Sequence, residues 1–380
     1  MYRLLPLLLV ALLAGCSGDI DNTEPPALLT SIEDPIPLGI HWLVDTRAST
    51  NDAAYRLRPL IDGDRIFTID TGGLIRNVDL NNGRRLWKYE TDLEPITGLG
   101  GDKKTLLATS RNGDLVAYRE LADTLQILWS NRLGSEIRAT PQLVGDQVFV
   151  RSVEGRLYCL SAVDGKQQWQ VSRRVPSLSL TGNSEPLVTD DLVIVGFDDG
   201  KLAAYDRSNG KTRWETAISL PRGRTEVERL VDLDGSLVIR DGVIYVVSFQ
   251  GNLAAVQASS GDILWSRKFS GFQAIAVDDN AIYLTSDNSD LWSIDRRTGA
   301  AFWKQDALHA RKITAPSIID DMLVVADLDG YLHWLAKSDG RLRGRIRTTS
   351  ERNYVQPLVW QQSVITIDKL GFLASVYLQL

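Results

Sequence analysis

Seven of the ten tryptophans in this 380-residue chain recur at nearly even intervals: Trp42, Trp87, Trp129, Trp169, Trp214, Trp265 and Trp303. The steps are 45, 42, 40, 45, 51 and 38 residues, and 41 residues beyond Trp303 Gly344 stands at the equivalent place. A period of about 40–45 residues marks stacked four-stranded units, each unable to bury its faces alone. The repeat therefore restricts the fold before any single residue is considered.

Each Trp closes a short phrase: Asn-Gly-Arg-Arg-Leu-Trp at 82–87, Asp-Gly-Lys-Gln-Gln-Trp at 164–169, Asn-Gly-Lys-Thr-Arg-Trp at 209–214, Ser-Gly-Asp-Ile-Leu-Trp at 260–265 and Thr-Gly-Ala-Ala-Phe-Trp at 298–303. Gly four residues before Trp supplies a positive φ and predicts a tight turn between strands. A second series, Gly73, Gly113, Gly155, Gly200, Gly251, Gly330 and Gly371, with Asn288 in one place, lies further upstream. Apolar runs such as Leu-Val-Ile-Val at 192–195 and Val-Ile-Tyr-Val-Val at 243–247 precede it, and Pro-containing starts such as Thr-Pro-Gln-Leu-Val at 140–144 precede those. Short β-rich runs between turn signals predict strands. Each unit thus reads as four strands, A to D, with the Trp on D.

Seven complete units run from about Tyr55 to Arg347; three further strands follow, and one lone strand around Ile40–Val44, carrying Trp42, precedes them. Three plus one makes an eighth unit. The prediction is an all-β, eight-bladed propeller over residues 38–380, its ring closed by the N-terminal strand pairing with the C-terminal strands, which leaves no open sheet end at the join. The seven Trp are assigned to blade docking, since rings dispersed at the blade period cannot form one sugar-binding platform. Trp292, Trp334 and Trp360 fall outside the series and are expected to pack singly.

Residues 1–15 combine Arg3 with the apolar run Leu4–Leu13, a secretory signal too short to span a membrane. The signal ends in Leu13-Ala14-Gly15-Cys16, which resembles the bacterial lipobox, in which the chain is cut before the Cys and the thiol is lipidated. Ser17, rather than Asp, follows, resembling lipoproteins sent to the outer membrane. Residues 16–37, with five acidic residues and four prolines, read as an extended tether. With Cys16 lipidated, Cys159 has no intramolecular partner and is expected to be a buried, inert thiol.

The remaining composition excludes several classes of function. A net charge of −6 without a dense basic stretch argues against nucleic acid. His41, His309 and His333 sit at no metal-ligand spacing, and no nucleophile elbow, P-loop or zinc-protease motif occurs. Asp198-Asp199-Gly200 and Asp327-Leu328-Asp329-Gly330 lack a calcium-loop series and are expected to be hairpin turns. No metal, cofactor or catalytic residue is assigned. The blade phrase resembles the quinoprotein repeat, whose propellers build pyrroloquinoline-quinone dehydrogenases. That resemblance implies the fold; the adjacent Cys pair of those enzymes has no counterpart here, so the chemistry does not carry over.

Two D-to-A connections are longer than the rest, residues 173–186 after Trp169 and about 219–237 after Trp214. They join consecutive blades, 3 to 4 and 4 to 5, and should emerge side by side on one face, where long loops on a rigid scaffold favour binding. The first holds Leu178 and Leu180 in a polar setting; the second holds Glu226, Glu228, Asp232 and Asp234 among Arg222, Arg224 and Arg229. On the residues alone two readings stand: apolar anchors beside acidic groups for a basic protein partner, or leucines tucked under the loop with solvated charges.

The lipobox, the acidic tether, the eight cofactor-less blades and the phrases Pro-Ser-Leu-Ser-Leu-x-Gly-x-Ser-x-Pro, Glu-x-x-Arg-Leu-x-Asp-x-Asp and Gly-Tyr-Leu-His-Trp together resemble the BamB (YfgL) family, lipoproteins of the outer-membrane β-barrel assembly machinery. The resemblance covers nearly the whole chain. It implies a non-enzymatic scaffold at the outer membrane, facing the periplasm, which binds the POTRA domains of BamA beside other subunits of that complex and assists insertion of unfolded outer-membrane proteins. It implies Leu178 and Leu180 as apolar anchors and Asp232 and Asp234 as matching negative charge. Thr181 stands where that family often has Arg, which leaves the charged contact at this position open, with Arg173, Arg174, Arg222 and Arg224 as the candidates to replace it. A quinone-dependent dehydrogenase and a generic periplasmic peptide- or sugar-binding propeller are the opposing readings.

Overall fold

The computed structural model describes residues 24–46, 57–102, 104–175, 184–220, 231–233, 235–271 and 273–379. Among them are thirty-two strands and no helix, gathered into eight four-stranded sheets. Strands A to D of a blade run in order from the central axis outward. Blade 4 is representative, with A at Leu187–Val188, B at Leu192–Gly196, C at Lys201–Asp206 and D at Thr212–Ala217. Its strand B is buried along its whole length, because neighbouring blades cover both faces. That double cover explains the unbroken apolar run, where a half-exposed strand would alternate. On strand D, the outer edge, only Trp214 is buried.

The core is accordingly a ring of inter-blade layers rather than one centre. Leu192, Ile194, Leu202 and Trp214 of blade 4 interlock with Leu237, Ile244, Val246 and Val256 of blade 5. Blade 8 takes its first three strands, Leu358–Trp360, Ser363–Ile367 and Phe372–Leu378, from the C-terminus, and strand D, Leu38–Asp45, from the N-terminus. The closing pair is antiparallel, from Leu38 opposite Leu378 to Asp45 opposite Phe372. Trp360 adds a staple across the join, its indole N–H donating to the Gly63 carbonyl of blade 1 at 2.7 Å.

Each serial Trp is held in one way with one variation. The indole of Trp169 donates to the Arg207 carbonyl at 2.9 Å. Its ring lies on Gly210, where a Cβ would sit 2.7 Å from Trp169 Cε3. Gly210 belongs to the C–D turn of the next blade and has φ 71°. Glycine there is required twice, by the backbone and by the ring. The same contact links Trp42 to Gly83, Trp129 to Gly165, Trp214 to Gly261, Trp265 to Gly299 and Trp303 to Gly340. Blade 2 lacks the glycine, and there Trp87 donates instead to Glu120 Oε1 at 2.9 Å.

The contact also explains the missing eighth Trp. A Trp at position 344 would need the C–D turn of blade 8, but those two strands come from opposite chain ends and no turn joins them. Gly344 is instead covered by the approach to the first strand, and a Cβ there would meet Ile36 Cγ1 at 2.8 Å and Leu38 Cδ1 at 3.0 Å.

In blades 5 and 6 the left-handed residue of the B–C turn is Gln250 and Ser289, not Gly251 or Asn288. Residues 24–37, expected to be a tether, are docked on blades 6 and 7, with Ala27 N donating to His309 O and Ile36 N to Arg343 O. Cys16 lies outside the described residues.

Trp169→Ala is expected to cost roughly 3–5 kcal/mol in denaturant unfolding; a loss near zero would show that the ring docking does not hold the blades. A chain beginning after Thr46 lacks the closing strand and should melt well below the intact protein in calorimetry. An unchanged melting temperature would refute the closure.

Candidate partner-binding face

The D-to-A links leave the ring on the face that also carries the B–C turns. Arg173 N donates to Gly155 O and Ser219 N to Gly200 O, so each link crosses the B–C turn of its own blade before departing. Residues 176–183 and 221–230, with Asp234, lie outside the described residues; Leu178, Leu180, Thr181 and Asp234 are therefore among the expected site residues that receive no position. What is described is the foundation of both links.

That foundation is shared. Arg151, at the end of strand B of blade 3 (Gln147–Arg151), is buried and reaches Asp198 Oδ1 at 2.6 Å and Ser184 Oγ at 3.4 Å. Ser184 closes the first link and is tied to Gly196, accepting from its N at 3.2 Å and donating to its carbonyl at 3.1 Å. The next residue, Phe197, accepts a hydrogen bond from Leu233 N of the second link. Two guanidiniums lie within cation–π range of the Phe197 ring, Arg151 at 5.1 Å and Arg173 at 4.2 Å, where the ring's negative face attracts positive charge. Removing one partner of a buried pair such as Arg151–Asp198 costs about 3–5 kcal/mol, because the other charge is left without compensation. The end of strand B of blade 4 thus joins the two links into one rigid base.

Two apolar side chains stand at the departure points: Val175 is 39% and Leu220 60% exposed. Around them lies a charged cluster. Arg173 pairs with Glu215 at 2.8 Å and Asp199 at 3.3 Å, and Lys201 pairs with Glu215 at 2.8 Å. The Lys201 hydrogen bond, then that of Arg173, holds the Glu215 carboxyl below its ordinary range against its partial burial. Arg173 is therefore committed within the chain and cannot replace the Arg absent at Thr181; Arg174 is exposed.

Asp232 is the one expected site residue that receives a position. Its side chain was expected to supply surface charge, but the residue is 1% exposed and its carbonyl accepts from Phe249 N. Leu233 beside it is fully buried. Position 232 therefore braces the foot of the second link. Arg151, Phe197, Val175 and Leu220 were not picked out from the sequence. A charged residue closing the apolar run 148–150 was a usable signal for Arg151; its partner, 47 positions away, left none.

Elsewhere the polar groups read as structural. Cys159 is fully buried, and burial pushes its thiol up to about 12. His333 is fully buried on strand C of blade 7, its Nε2 2.9 Å from Asp327 Oδ2. Burial holds its imidazole below the ordinary range. Burial also opposes charge on Asp327, but hydrogen bonds from His333, Arg311 and the Tyr331 amide outweigh it and keep the carboxyl low. Among the described residues no group of three or more His, Cys, Asp or Glu side chains could hold a metal ion. The axial channel forms a cavity of about 560 Å³, lined by strand A residues such as Leu60, Gln142, Ser317 and Leu358.

Comparison with known proteins places this geometry. A family model described as outer membrane protein assembly factor BamB matches residues 71–305. The outer membrane protein assembly factor BamB of Alkalilimnicola ehrlichii is 37% identical, over 90% of this chain and 88% of the relative. The crystal structure of BamB from Moraxella catarrhalis superposes with a TM-score of 0.81 at 24% identity, covering 90% of this chain and all of that one. The quinohemoprotein alcohol dehydrogenase of Comamonas testosteroni shares the fold at a TM-score of 0.72 and 11% identity, over 89% of this chain and 76% of that one. An eight-bladed ring alone is thus common to an assembly factor and an enzyme, and the sequence match separates them: this chain belongs to the BamB family of outer membrane protein assembly factors.

Proposed function

We propose that this protein is a non-enzymatic scaffold subunit of the outer-membrane β-barrel assembly complex. The two links of blades 3 to 5 bind the periplasmic POTRA domains of BamA, and a lipid on Cys16 holds the propeller at the outer membrane on the periplasmic side. The observation that carries the binding site is the shared base: Arg151, Ser184, Phe197 and Leu233 lock two adjacent links together. Val175 and Leu220 stand exposed at their roots. Two links that leave one shared base spend less conformational entropy on docking than two loops with separate roots, and exposed aliphatic anchors within a polar rim suit a protein partner.

A second role has its own observation. Leu264 and Phe302, on the outer edge strands of neighbouring blades 5 and 6, are 53% and 58% exposed. An unpaired strand edge with apolar side chains suits strand addition by unfolded outer-membrane protein segments. An unfolded porin segment should bind the isolated propeller and lose affinity in Leu264→Ser/Phe302→Ser; binding to BamA alone would remove this role.

The main test is titration of the lipid-free propeller with BamA's periplasmic domains. Leu178→Ala/Leu180→Ala should weaken binding by about 2 kcal/mol or more, with the melting temperature unchanged. Asp234→Ala should weaken binding alone. Asp232→Ala should lower both binding and melting temperature, because its carboxylate is buried. Tight binding unaffected by all of these variants would move the site elsewhere, and no binding by the wild type would overturn the scaffold reading.

A further inference from the structure

The polar residues least explained by the binding face are the buried Arg311–Asp327–His333 group and the N-terminal segment that lies against it. Arg311 is 4% exposed and sits in the link from blade 6 to blade 7. Its Nε donates to Asp327 Oδ2 at 2.8 Å, and its Nη2 lies 2.7 Å from the same oxygen and 2.6 Å from Asp329 Oδ2. His333 Nε2 lies 2.9 Å from the same Asp327 oxygen. These contacts leave Nη1 aimed outward, where it donates to the carbonyl of Ala27 at 3.1 Å. Ala27 N returns a hydrogen bond to His309 O at 2.9 Å, and the His309 ring bridges Asp290 at 2.8 Å and Glu24 at 3.2 Å.

The grip continues along the segment. Leu29 packs on the cluster of Leu308, Ile313 and Leu335. Arg345 Nη2 donates to Thr30 O at 2.7 Å, and Ile36 N donates to Arg343 O at 2.7 Å. Ala27, Leu29, Ile32 and Ile36 turn inward while the charged Glu24, Glu33 and Asp34 stay exposed. A stretch whose composition suggests a free tether is thus fastened at both ends, and its first fastened residue lies on the face that carries the D-to-A links.

We propose that residues 24–37 are a strap, clamped by Arg311 in its Asp327–His333 socket, which shortens the lipid tether and turns the link face at blades 6 and 7 towards the membrane. The inference rests on lipidation of Cys16. From Cys16 to Glu24 the chain has eight residue steps, which reach at most about 26–29 Å in any conformation. Were the strap released back to Ile36, twenty steps would reach at most about 66–72 Å. The docked strap therefore restricts which part of the disc can approach the lipid. The links of blades 3 to 5 leave from the same face, further round the ring, and a partner seated there would share the side of the disc that meets the membrane.

The test uses the full-length lipidated protein in vesicles containing an acceptor-labelled lipid. A donor is placed on a single introduced thiol, either Asp306→Cys beside the strap or Val163→Cys on the opposite face of blade 3. Native Cys159 is buried and does not compete. Energy transfer from position 306 should exceed that from position 163 at least twofold. Leu29→Asp, which alters the strap and not the propeller, should remove most of that difference while cooperative melting persists. Arg311→Ala should act in the same direction, and Arg311→Lys should restore part of the transfer. Equal transfer from both positions, or a difference that survives Leu29→Asp, overturns the strap orientation alone. Failure of the wild type to float with the vesicles overturns the lipid anchor, and the orientation with it.

Discussion

The ring depends on the contact between an indole and a glycine one blade further on. Trp brings a large apolar face and an N–H that must find an acceptor when buried. The next blade supplies both a flat seat without a Cβ and a carbonyl beside it, as Gly210 and Arg207 do for Trp169. Because the seat is a turn, the contact fixes the position of the following hairpin as well as its distance. Repetition of this contact turns separate sheets into one closed body. The variation at Trp87 is informative, because Glu120 must itself be neutralised there. Arg65 approaches it at 2.5 Å and Asn77 at 3.0 Å, so a charged network replaces one small residue.

The seam between blades 7 and 8 shows what happens when the contact cannot be made. No turn exists to receive a ring, so Trp gives way to Gly344, and Ile36 and Leu38 fill the space. The same seam is reinforced from outside by the segment leading to the closing strand. The N-terminal stretch thus contributes to packing at the point where the repeat is incomplete, and its path over blades 6 and 7 is a consequence of the ring's topology.

The blade count, the closure and the inter-blade role of the Trp series were legible because they rest on local signals repeated many times: a turn glycine, an apolar run and an aromatic at fixed offsets. The docking of residues 24–37 was not legible. Prolines and acids there read as a solvated chain, and the partners that hold it, His309, Arg311 and Arg345, are 284 to 315 positions away. The two connections of the proposed binding face stood out in the sequence because their length breaks the period. The sequence did not show that Asp232 is buried beside Leu233, because an acid next to a leucine in a polar link gives no local sign of burial. The Arg151–Asp198 pair escaped notice for a similar reason, being a long-range partnership between two unremarkable turn and strand-end residues.

The closing pair has a consequence for the order of events in folding. Leu38 meets Leu378, so the first strand made finds its partner only after the last has been made. Every other blade pairs its strands within a few dozen residues and can assemble locally, whereas closure must bear the loop entropy of almost the whole chain. Before closure the early strand and three-quarters of a blade at the other end each present an open edge, and such edges invite pairing with the wrong chain. An N-terminus held at a membrane surface would limit where that unmatched strand can wander while the rest of the ring arrives.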